Sequence, residues 1–211
     1  MNILFLGPQG SGKGTQAHLV KEKYDMHYFD MGSVLREEAK ANPEIAELLK
    51  TGELLSDEIV NKMVDDYLEQ NQQFDNIIFD GYPRRVSQLL ALLEILRKHN
   101  QRLHYTIFLN IPEQETIRRL SARRIDKETG EIYNLITNPP SANVNPKNLV
   151  QRTDDHPEAI KERLSQYHKD TEPLISELKN ATRFIEIDGS QSIEKIHQDV
   201  LLALENNEHY N

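Results

Sequence analysis

The sequence predicts an α/β fold in which helices flank a parallel β-sheet. Short strand-like runs alternate with longer helical patterns along most of the chain, as strand–helix–strand crossovers require. The run Ile77-Ile78-Phe79 is apolar without alternation, which is typical of a parallel strand buried on both faces. Neither an internal repeat nor a change in composition divides the 211 residues, so we expect one domain.

The elements follow one another in a regular order. Strands are predicted over residues 2–6, 27–30, 76–80, 105–110 and 183–187. Helices are predicted over residues 13–24, 33–40, 56–70, 86–99, 113–124, 157–179 and 192–205.

Residues 125–155 interrupt this alternation. The segment has little helical periodicity but carries turn signals, such as Thr129-Gly130 and Asn138-Pro139-Pro140. A segment of this length without a helix is typical of a functional lid or of disorder. Six of the twelve arginines lie between Arg118 and Arg163, although the net charge is −9, and this clustering favours a lid.

The composition excludes several classes of protein. Lys and Arg total 25 against 34 Asp and Glu, which argues against a general nucleic-acid or anionic-membrane binder. The absence of Cys excludes disulfides, Cys-ligated metal sites and thiol catalysis. No apolar run approaches the ~20 residues that span a bilayer, and the opening run is too short for a signal peptide. We expect a soluble cytoplasmic protein.

The strongest motif is Gly7-Pro8-Gln9-Gly10-Ser11-Gly12-Lys13-Gly14-Thr15, between a predicted strand and a predicted helix. In such a loop the backbone N–H groups and the helix N-terminus bind phosphate oxygens, and the lysine reaches the β- and γ-phosphates. The strict pattern has Ser or Thr directly after the lysine, whereas Gly14 intervenes here. The context predicts a nucleotide site and not a glycine-rich turn with a chance lysine.

A second motif is Asp80-Gly81-Tyr82-Pro83-Arg84. Asp80 ends a predicted strand, where an enzyme with a phosphate-binding loop needs a carboxylate near Mg²⁺, directly or through water. By itself a strand-terminal Asp more often caps a turn, so the assignment of Asp80 to Mg²⁺ also requires the residues that follow it.

These two motifs, with Arg123-Arg124 and the later Arg152-x-Asp154-Asp155, resemble the adenylate kinase family. The resemblance extends from residue 1 to about residue 204 and includes Arg163 and the following Tyr167-His168. It implies a P-loop NTPase-type core over residues 1–211, with a five-stranded parallel sheet and two mobile inserted lobes. Residues 30–55 would cover the nucleoside monophosphate, and residues 122–155 would form a lid over ATP.

The resemblance implies transfer of the γ-phosphoryl group of Mg-ATP to AMP by a monomer, with ADP as product. The acceptor oxygen is already anionic, so the chemistry needs clustered cations and Mg²⁺ instead of a general base. The implied catalytic residues are Lys13, Arg84, Arg123, Arg152 and Arg163. Asp80 would hold Mg²⁺ through water.

Two nucleotide sites are implied in the same way. The ATP site comprises Gly10, Ser11, Gly12, Lys13, Gly14, Thr15, Arg119, Arg123, Ile132, Tyr133 and Gln191. The AMP site comprises Met31, Arg36, Glu53, Leu54, Leu55, Gly81, Tyr82, Arg84, Gln88, Arg152 and Arg163. Arg118 has no counterpart in the family motifs, and we expect it to be a solvated helix residue.

The chain departs from the family pattern in its AMP lobe and its lid. Met31 stands where a small hydroxyl residue is general, and Glu53 where a basic residue is common. Some relatives tie the lid with cysteine-bound zinc, and no structural zinc is expected here. We expect hydrogen bonds from Asp126, Thr129, Tyr133 and Asn134 to hold the lid. Asp154-Asp155 would either pair with lid arginines or cap the next helix.

Two other functions stay open. A UMP/CMP-type monophosphate kinase shares the core, but such relatives generally have a short lid, and Gln88 suits adenine. A non-catalytic nucleotide-binding module would have no need for arginines around a transferring phosphoryl group.

Overall fold

A computed structural model describes residues 1–51, 55–152 and 155–208. Its central sheet has five parallel strands in the order β2-β3-β1-β4-β8. They are β1 (Ile3–Leu6), β2 (His27–Asp30), β3 (Ile77–Asp80), β4 (Tyr105–Asn110) and β8 (Arg183–Asp188). The predicted α/β fold is confirmed.

Apart from shifts of a few residues at their ends, the helices agree with the predicted pattern except in two places. They are α1 (Lys13–Tyr24), α2 (Met31–Ala41), α3 (Pro43–Thr51), α4 (Asp57–Asn71), α5 (Val86–Lys98), α6 (Glu113–Ala122), α7 (Pro157–Gln166), α8 (Leu174–Ala181) and α9 (Ile193–Glu208). The predicted helices do not include α3. Its first residue is Pro43, and proline is favoured at the first position of a helix although it disrupts a helix interior.

The prediction of a single helix over residues 157–179 is wrong. A π-helical turn, Tyr167–Thr171, separates α7 from α8, and the N–H of Glu172 donates to the carbonyl of Tyr167 at 2.9 Å. Pro173 follows and has no N–H to continue the helical hydrogen bonds. The π-helical turn and Pro173 therefore interrupt the regular α-helical hydrogen bonds between the two helices.

Alternate residues of the strands bury opposite faces of the sheet. Leu4 and Leu6 pack into a cluster with side chains of α4, α5 and α8, such as Leu92. Ile3 and Phe5 pack into a second cluster with α1 and α9. Both faces are thus covered, and the carboxyl edge of the sheet stays accessible to a ligand.

The edge has a topological switch point at β1. One neighbour of β1 is β3, with Phe5 paired to Asp80, and the other is β4, with Phe5 paired to Ile107. The chain builds β2 and β3 on one side and then β4 and β8 on the other. Open α/β sheets bind ligands at such a point, and here it is the loop after β1.

The segment 123–150 contains a small antiparallel sheet in the order β6-β5-β7. Its strands are β5 (Arg123–Asp126), β6 (Ile132–Asn134) and β7 (Leu149–Val150). The helix predicted over residues 113–124 ends two residues earlier, because Arg123 begins β5 and the carbonyl of Ala122 accepts the N–H of Leu135 at 3.0 Å.

Side-chain hydrogen bonds hold this lid sheet together, as predicted. Asp126 accepts the backbone N–H groups two and three residues later, at 2.8 and 3.2 Å, and the hydroxyl of Thr129 accepts a third backbone N–H. Tyr133 donates to Glu131 at 2.6 Å, and Asn134 donates to the carbonyl of Arg119 at 2.9 Å. Across the described ranges, no group of three or more His, Cys, Asp or Glu could hold a metal. The described helices also include none long and apolar enough to cross a membrane.

Candidate active site

A cavity of about 1630 Å³ opens at the carboxyl edge of the central sheet. The loop after β1, the ends of β2 and β3, the lid sheet and the chain after β8 all contribute to its walls. Its lining includes Gly10, Ser11, Gly12, Lys13, Gly14, Thr15, Met31, Arg36, Leu55, Asp80, Gly81, Arg84, Gln88, Arg119, Arg123, Ile132, Tyr133, Arg152, Arg163 and Gln191. One cavity therefore collects nearly all the residues that the sequence singled out.

Three predicted AMP-site residues are not in that set. Glu53 and Leu54 lie outside the described residues. The Tyr82 ring packs into the core and is 1% exposed. Its hydroxyl lies 2.8 Å from Oδ1 of Asn61 and 3.0 Å from the carbonyl oxygen of Gln88, and both can accept its proton. Tyr82 thus lies behind the cavity wall and does not reach the cavity.

The phosphate-binding loop has the backbone that its glycines permit. Gly7, Gly10 and Gly12 have φ values of 147°, 79° and 95°. A Cβ on Gly7 would lie 2.4 Å from the carbonyl oxygen of Leu109, so the loop passes too close to β4 for a side chain. Gly12 caps α1 without a side-chain hydrogen bond. The N-terminal N–H groups of α1 and the helix dipole are therefore free of a side-chain cap and suit an anion.

Lys13 lies within this loop and points back along it. Its ammonium donates to the carbonyl oxygens of Gly7 and Pro8, at 2.8 and 2.9 Å. Burial lowers the pKa of Lys13 to about 8; the charge of Asp80 opposes the shift, and nearby arginines such as Arg84 add to it. An anionic ligand beside Lys13 would offset this unfavourable environment, so the site favours a polyanion.

Asp80 faces the loop from the end of β3. Its side chain is nearly buried, and its Oδ2 atom accepts the Tyr28 hydroxyl at 2.9 Å. A Cβ built on Gly14 would lie 3.5 Å from the same oxygen. Burial raises the pKa of Asp80, and the nearby charge of Lys13 opposes that shift. The Asp80 carboxylate and the Thr15 hydroxyl are hard oxygen donors of the kind that Mg²⁺ accepts beside substrate phosphates.

Tyr28 also lines the cavity, and sequence reasoning missed it. Its ring packs against His18 with centroids 4.4 Å apart, while its hydroxyl reaches Asp80 on the neighbouring strand. The only available signal was that Tyr28 and Asp30, two residues apart on one strand, share a face of the sheet.

Asp30 positions the predicted AMP-phosphate residue Arg36. Its carboxylate caps α2 by accepting the N–H groups of Gly32 and Ser33, at 3.0 and 2.9 Å, and also binds the Arg36 guanidinium at 3.1 Å. A Cβ on Gly81 would lie 3.5 Å from the Arg84 guanidinium and 3.8 Å from Asp30. Two arginines and one carboxylate therefore meet at this end of the cavity.

Two of the predicted catalytic arginines, Arg123 and Arg163, converge on Asp155, which has no exposed surface. Arg123 donates to its two oxygens at 2.7 and 2.5 Å, and an Arg163 nitrogen lies 3.6 Å from it. The helix that follows has no side-chain cap, so the capping alternative fails and the predicted pairing with lid arginines is confirmed for Asp155. Asp154 lies outside the described residues.

The opposite end of the cavity is lined by α6 and the chain after β8. Arg119 is buried and donates to Glu115 at 2.6 Å. Arg118 binds the same carboxylate through two contacts of 2.7 Å, and these hydrogen bonds help to lower the pKa of Glu115 to about 2. Arg118 is an exposed residue of α6, as expected, and it also borders the cavity. Gln191 is held by the carbonyl of Asp188 at 3.1 Å.

Comparison with known proteins identifies relatives over nearly the whole chain. The family model described as adenylate kinase matches residues 5–183. A protein of Fusobacterium nucleatum subsp. nucleatum named adenylate kinase is 37% identical, and the match covers 97% of this chain and 98% of the relative. Proteins of the same name from Thermosipho melanesiensis and Archaeoglobus fulgidus are 38% and 36% identical, over 95% and 97% of this chain and 98% of each relative.

Proposed function

Because this chain belongs to the adenylate kinase family, we infer that it transfers the γ-phosphoryl group of ATP to AMP and forms two molecules of ADP. The observation that best supports this reaction is that the five implied catalytic cations all line one cavity behind a phosphate-binding loop. They are Lys13, Arg84, Arg123, Arg152 and Arg163.

We propose that ATP lies along the loop after β1. The N–H groups of residues 10–15 and the Lys13 ammonium would bind its phosphates, since they combine a helix N-terminus with a buried cation. Its adenosine would lie against the residues at the α6 end of the cavity, which are Arg119, Ile132, Tyr133 and Gln191.

Mg²⁺ is the metal that the oxygen donors of this site fit best. Asp80 would hold it through water, and the Thr15 hydroxyl would contribute beside the phosphates. Bound Mg²⁺ would neutralise phosphate charge and orient the γ-phosphoryl group. Tyr28 would keep the Asp80 carboxylate turned toward this position, because its hydroxyl donates to Oδ2.

AMP would bind at the α2 end of the cavity. Arg36 and Arg84 would bind its phosphate, Gln88 would face its base, and Met31 and Leu55 would supply apolar walls. The attacking phosphate oxygen already carries negative charge, so no side chain has to remove a proton. The chain's contribution is to position the two nucleotides and to stabilise the charge on the transferring group with Arg123, Arg152 and Arg163.

Residues 30–55 and 122–155 would close over the two nucleotides as mobile lobes. Closure would exclude water, which otherwise competes with AMP for the phosphoryl group. The arginines at the base of the lid support this proposal, because phosphate would draw them inward. A monomeric, cytoplasmic enzyme stays a prediction.

The two alternatives are not favoured, because relatives named adenylate kinase align over almost the entire chain. A coupled assay tests the assignment by offering Mg-ATP with AMP, UMP, CMP or GMP in turn. We expect ADP formation with AMP at a rate far above that with the other three. A preference for UMP or CMP would support the second kinase class, and no transfer to any acceptor would support a binding module.

A further inference from the structure

The side-chain amide of Gln88 is held from two directions. Its Oε1 atom accepts the backbone N–H of Arg84 at 2.8 Å, and its Nε2 atom donates to Oδ1 of Asp57 at 2.8 Å. Gln88 is 3% exposed and lines the cavity, so its remaining surface faces the place where a ligand would lie.

Asp57 is itself held by two further donors. The Ser87 hydroxyl donates to Oδ2, and the Arg85 guanidinium donates to Oδ1 at 3.0 Å. Burial raises the pKa of Asp57, but the hydrogen bonds from Ser87, Arg85 and Gln88 outweigh it and lower the pKa overall. Asp57 is also the first residue of α4, where the helix dipole favours a carboxylate. It is therefore ionised at neutral pH and can only accept hydrogen bonds.

Arg85 connects this pair to the rest of the site. Besides Asp57, its guanidinium contacts Asp170 in the π-helical turn at 3.3 Å and the carbonyl of Leu55 at 3.4 Å. Arg85 directly precedes α5 and follows Arg84, so it ties the start of α5 to the start of α4. These contacts limit movement of Asp57 relative to Gln88.

The chemistry of the two partners fixes which way the amide is turned. A backbone N–H can only donate and a carboxylate can only accept, so the oxygen must face Arg84 and the nitrogen must face Asp57. A flipped amide would place donor against donor and acceptor against acceptor. Such buried mismatches are costly, so the flipped state is rare.

A fixed amide offers a fixed hydrogen-bonding order to a base. The second N–H of Nε2 and the second lone pair of Oε1 are the groups that remain for a ligand. The edge of adenine pairs an acceptor, N1, with a donor, the 6-amino group, whereas the 6-oxo purines carry N1–H and O6 in the inverted order. A freely rotating amide would satisfy both edges, but a fixed one satisfies only one.

We propose that Asp57, supported by Arg85 and Ser87, is a positioning residue that sets the selectivity of the monophosphate site for adenine over 6-oxo purines. It does so by fixing the orientation of the Gln88 amide. This inference rests on the proposed function, which assigns AMP to this end of the cavity.

The variant Asp57→Asn tests the proposal, because an asparagine amide of the same shape can turn either its oxygen or its nitrogen toward Gln88. We would measure kcat/KM for AMP and for IMP at saturating Mg-ATP. The ratio of the two should fall by about tenfold to a hundredfold, since a buried mismatch no longer opposes the flipped amide. Asp66→Asn is the matched control: Asp66 lies on the same helix in an exposed pair with Lys62, and the ratio should not change.

A second comparison separates positioning from a general structural effect. In a Gln88→Leu background, Asp57→Asn should change the AMP-to-IMP ratio by less than about twofold, because no amide remains to be oriented. Equal losses with both substrates in the single variant would overturn the proposal, as would an undiminished shift in the Gln88→Leu background. A wild-type protein that transfers phosphate to neither nucleotide would instead contradict the proposed function. If Asp57→Asn does not fold, Ser87→Ala should lower the ratio in the same direction, and an unchanged ratio would overturn the proposal.

Discussion

The Asp155 carboxylate, with no exposed surface, receives two hydrogen bonds from the Arg123 guanidinium, at 2.7 and 2.5 Å. Arg163 contributes a third cationic contact at 3.6 Å. The backbone N–H of Asp155 also donates to the carbonyl of Arg152 at 3.1 Å. The Asp155 carboxylate thus holds the side chains of Arg123 and Arg163, and its backbone N–H holds the main chain at Arg152.

We expect Asp155→Asn to lower both activity and stability. The asparagine can accept only part of what the carboxylate accepts, and it removes the negative charge that pairs with the Arg123 guanidinium. Loss of one member of a buried ion pair costs about 3 kcal/mol, so the free energy of unfolding should fall by roughly that amount. Urea unfolding and turnover would be measured beside Glu94→Gln, whose exposed pair with Arg97 should contribute little to stability. Equal stability of the two variants would contradict this account.

We expect Lys13→Ala to abolish transfer while leaving the fold intact. The substitution removes a phosphate-binding cation from a loop and no side chain from either apolar cluster. Loss of a critical transition-state cation lowers turnover by ~10³-fold or more. Turnover and thermal unfolding would be compared with those of the wild type. A variant that keeps more than a tenth of the wild-type rate would show that the loop is only structural.

The lowered pKa of Lys13, about 8, predicts a pH dependence of ATP binding. ATP phosphates beside the Lys13 ammonium raise its pKa. Above pH 8, ATP binding is therefore accompanied by protonation of Lys13, and the affinity for ATP falls as pH rises. Near pH 7 Lys13 is already protonated, so no proton is taken up. Calorimetry at pH 9 in two buffers of different ionisation enthalpy measures the proton uptake. Lys13→Arg is the control, since arginine stays charged in this range. The same uptake in both proteins would assign the proton to another group.

We expect Tyr28→Phe to raise the Mg²⁺ concentration needed for half-maximal activity by several-fold. The variant removes the hydroxyl that donates to Asp80, and a lost hydrogen bond to a charged group is worth about 1.5–3 kcal/mol. Initial rates would be followed over a Mg²⁺ titration at fixed ATP. Tyr67→Phe removes a hydroxyl that contacts His27 at 2.9 Å, away from Asp80, and should leave the titration unchanged. An unaltered Mg²⁺ requirement in Tyr28→Phe would exclude a positioning role for Tyr28.

The proposed lobes predict a localised response to a bisubstrate ligand. Two adenosines joined through five phosphates would engage Lys13, Arg84 and the lid arginines together, and would shift the population toward a closed state. Hydrogen exchange should slow strongly over residues 30–55 and 122–155 and change little in the central sheet. Neutralising Arg123 and Arg152 together should weaken the effect. Equal exchange of the lid with and without saturating ligand would exclude closure.

The sequence by itself determined the features that depend only on neighbouring residues, namely a buried strand and the phosphate-binding loop. The apolar run Ile77-Ile78-Phe79 needs no distant partner to indicate a buried strand, and the spacing of glycines around Lys13 is a property of one loop. The lid over residues 122–155, inferred from the turn-rich sequence after α6, stays a prediction. Helix ends depend on their surroundings: α6 ends where Arg123 enters β5 and the carbonyl of Ala122 accepts the N–H of Leu135.

The tertiary structure alone decided which side chains hold the functional groups in place. Tyr28 meets Asp80 across 52 residues, and Asp57 meets Gln88 across 31. Each pair depends on the order of strands in the sheet and on the packing of helices at its carboxyl edge, which no local pattern encodes. A sequence motif can identify the atom that contacts a phosphate, because that chemistry requires a particular residue type. The partner that orients this atom needs only a hydrogen bond at the right place, and many residue types at many distant positions can supply one.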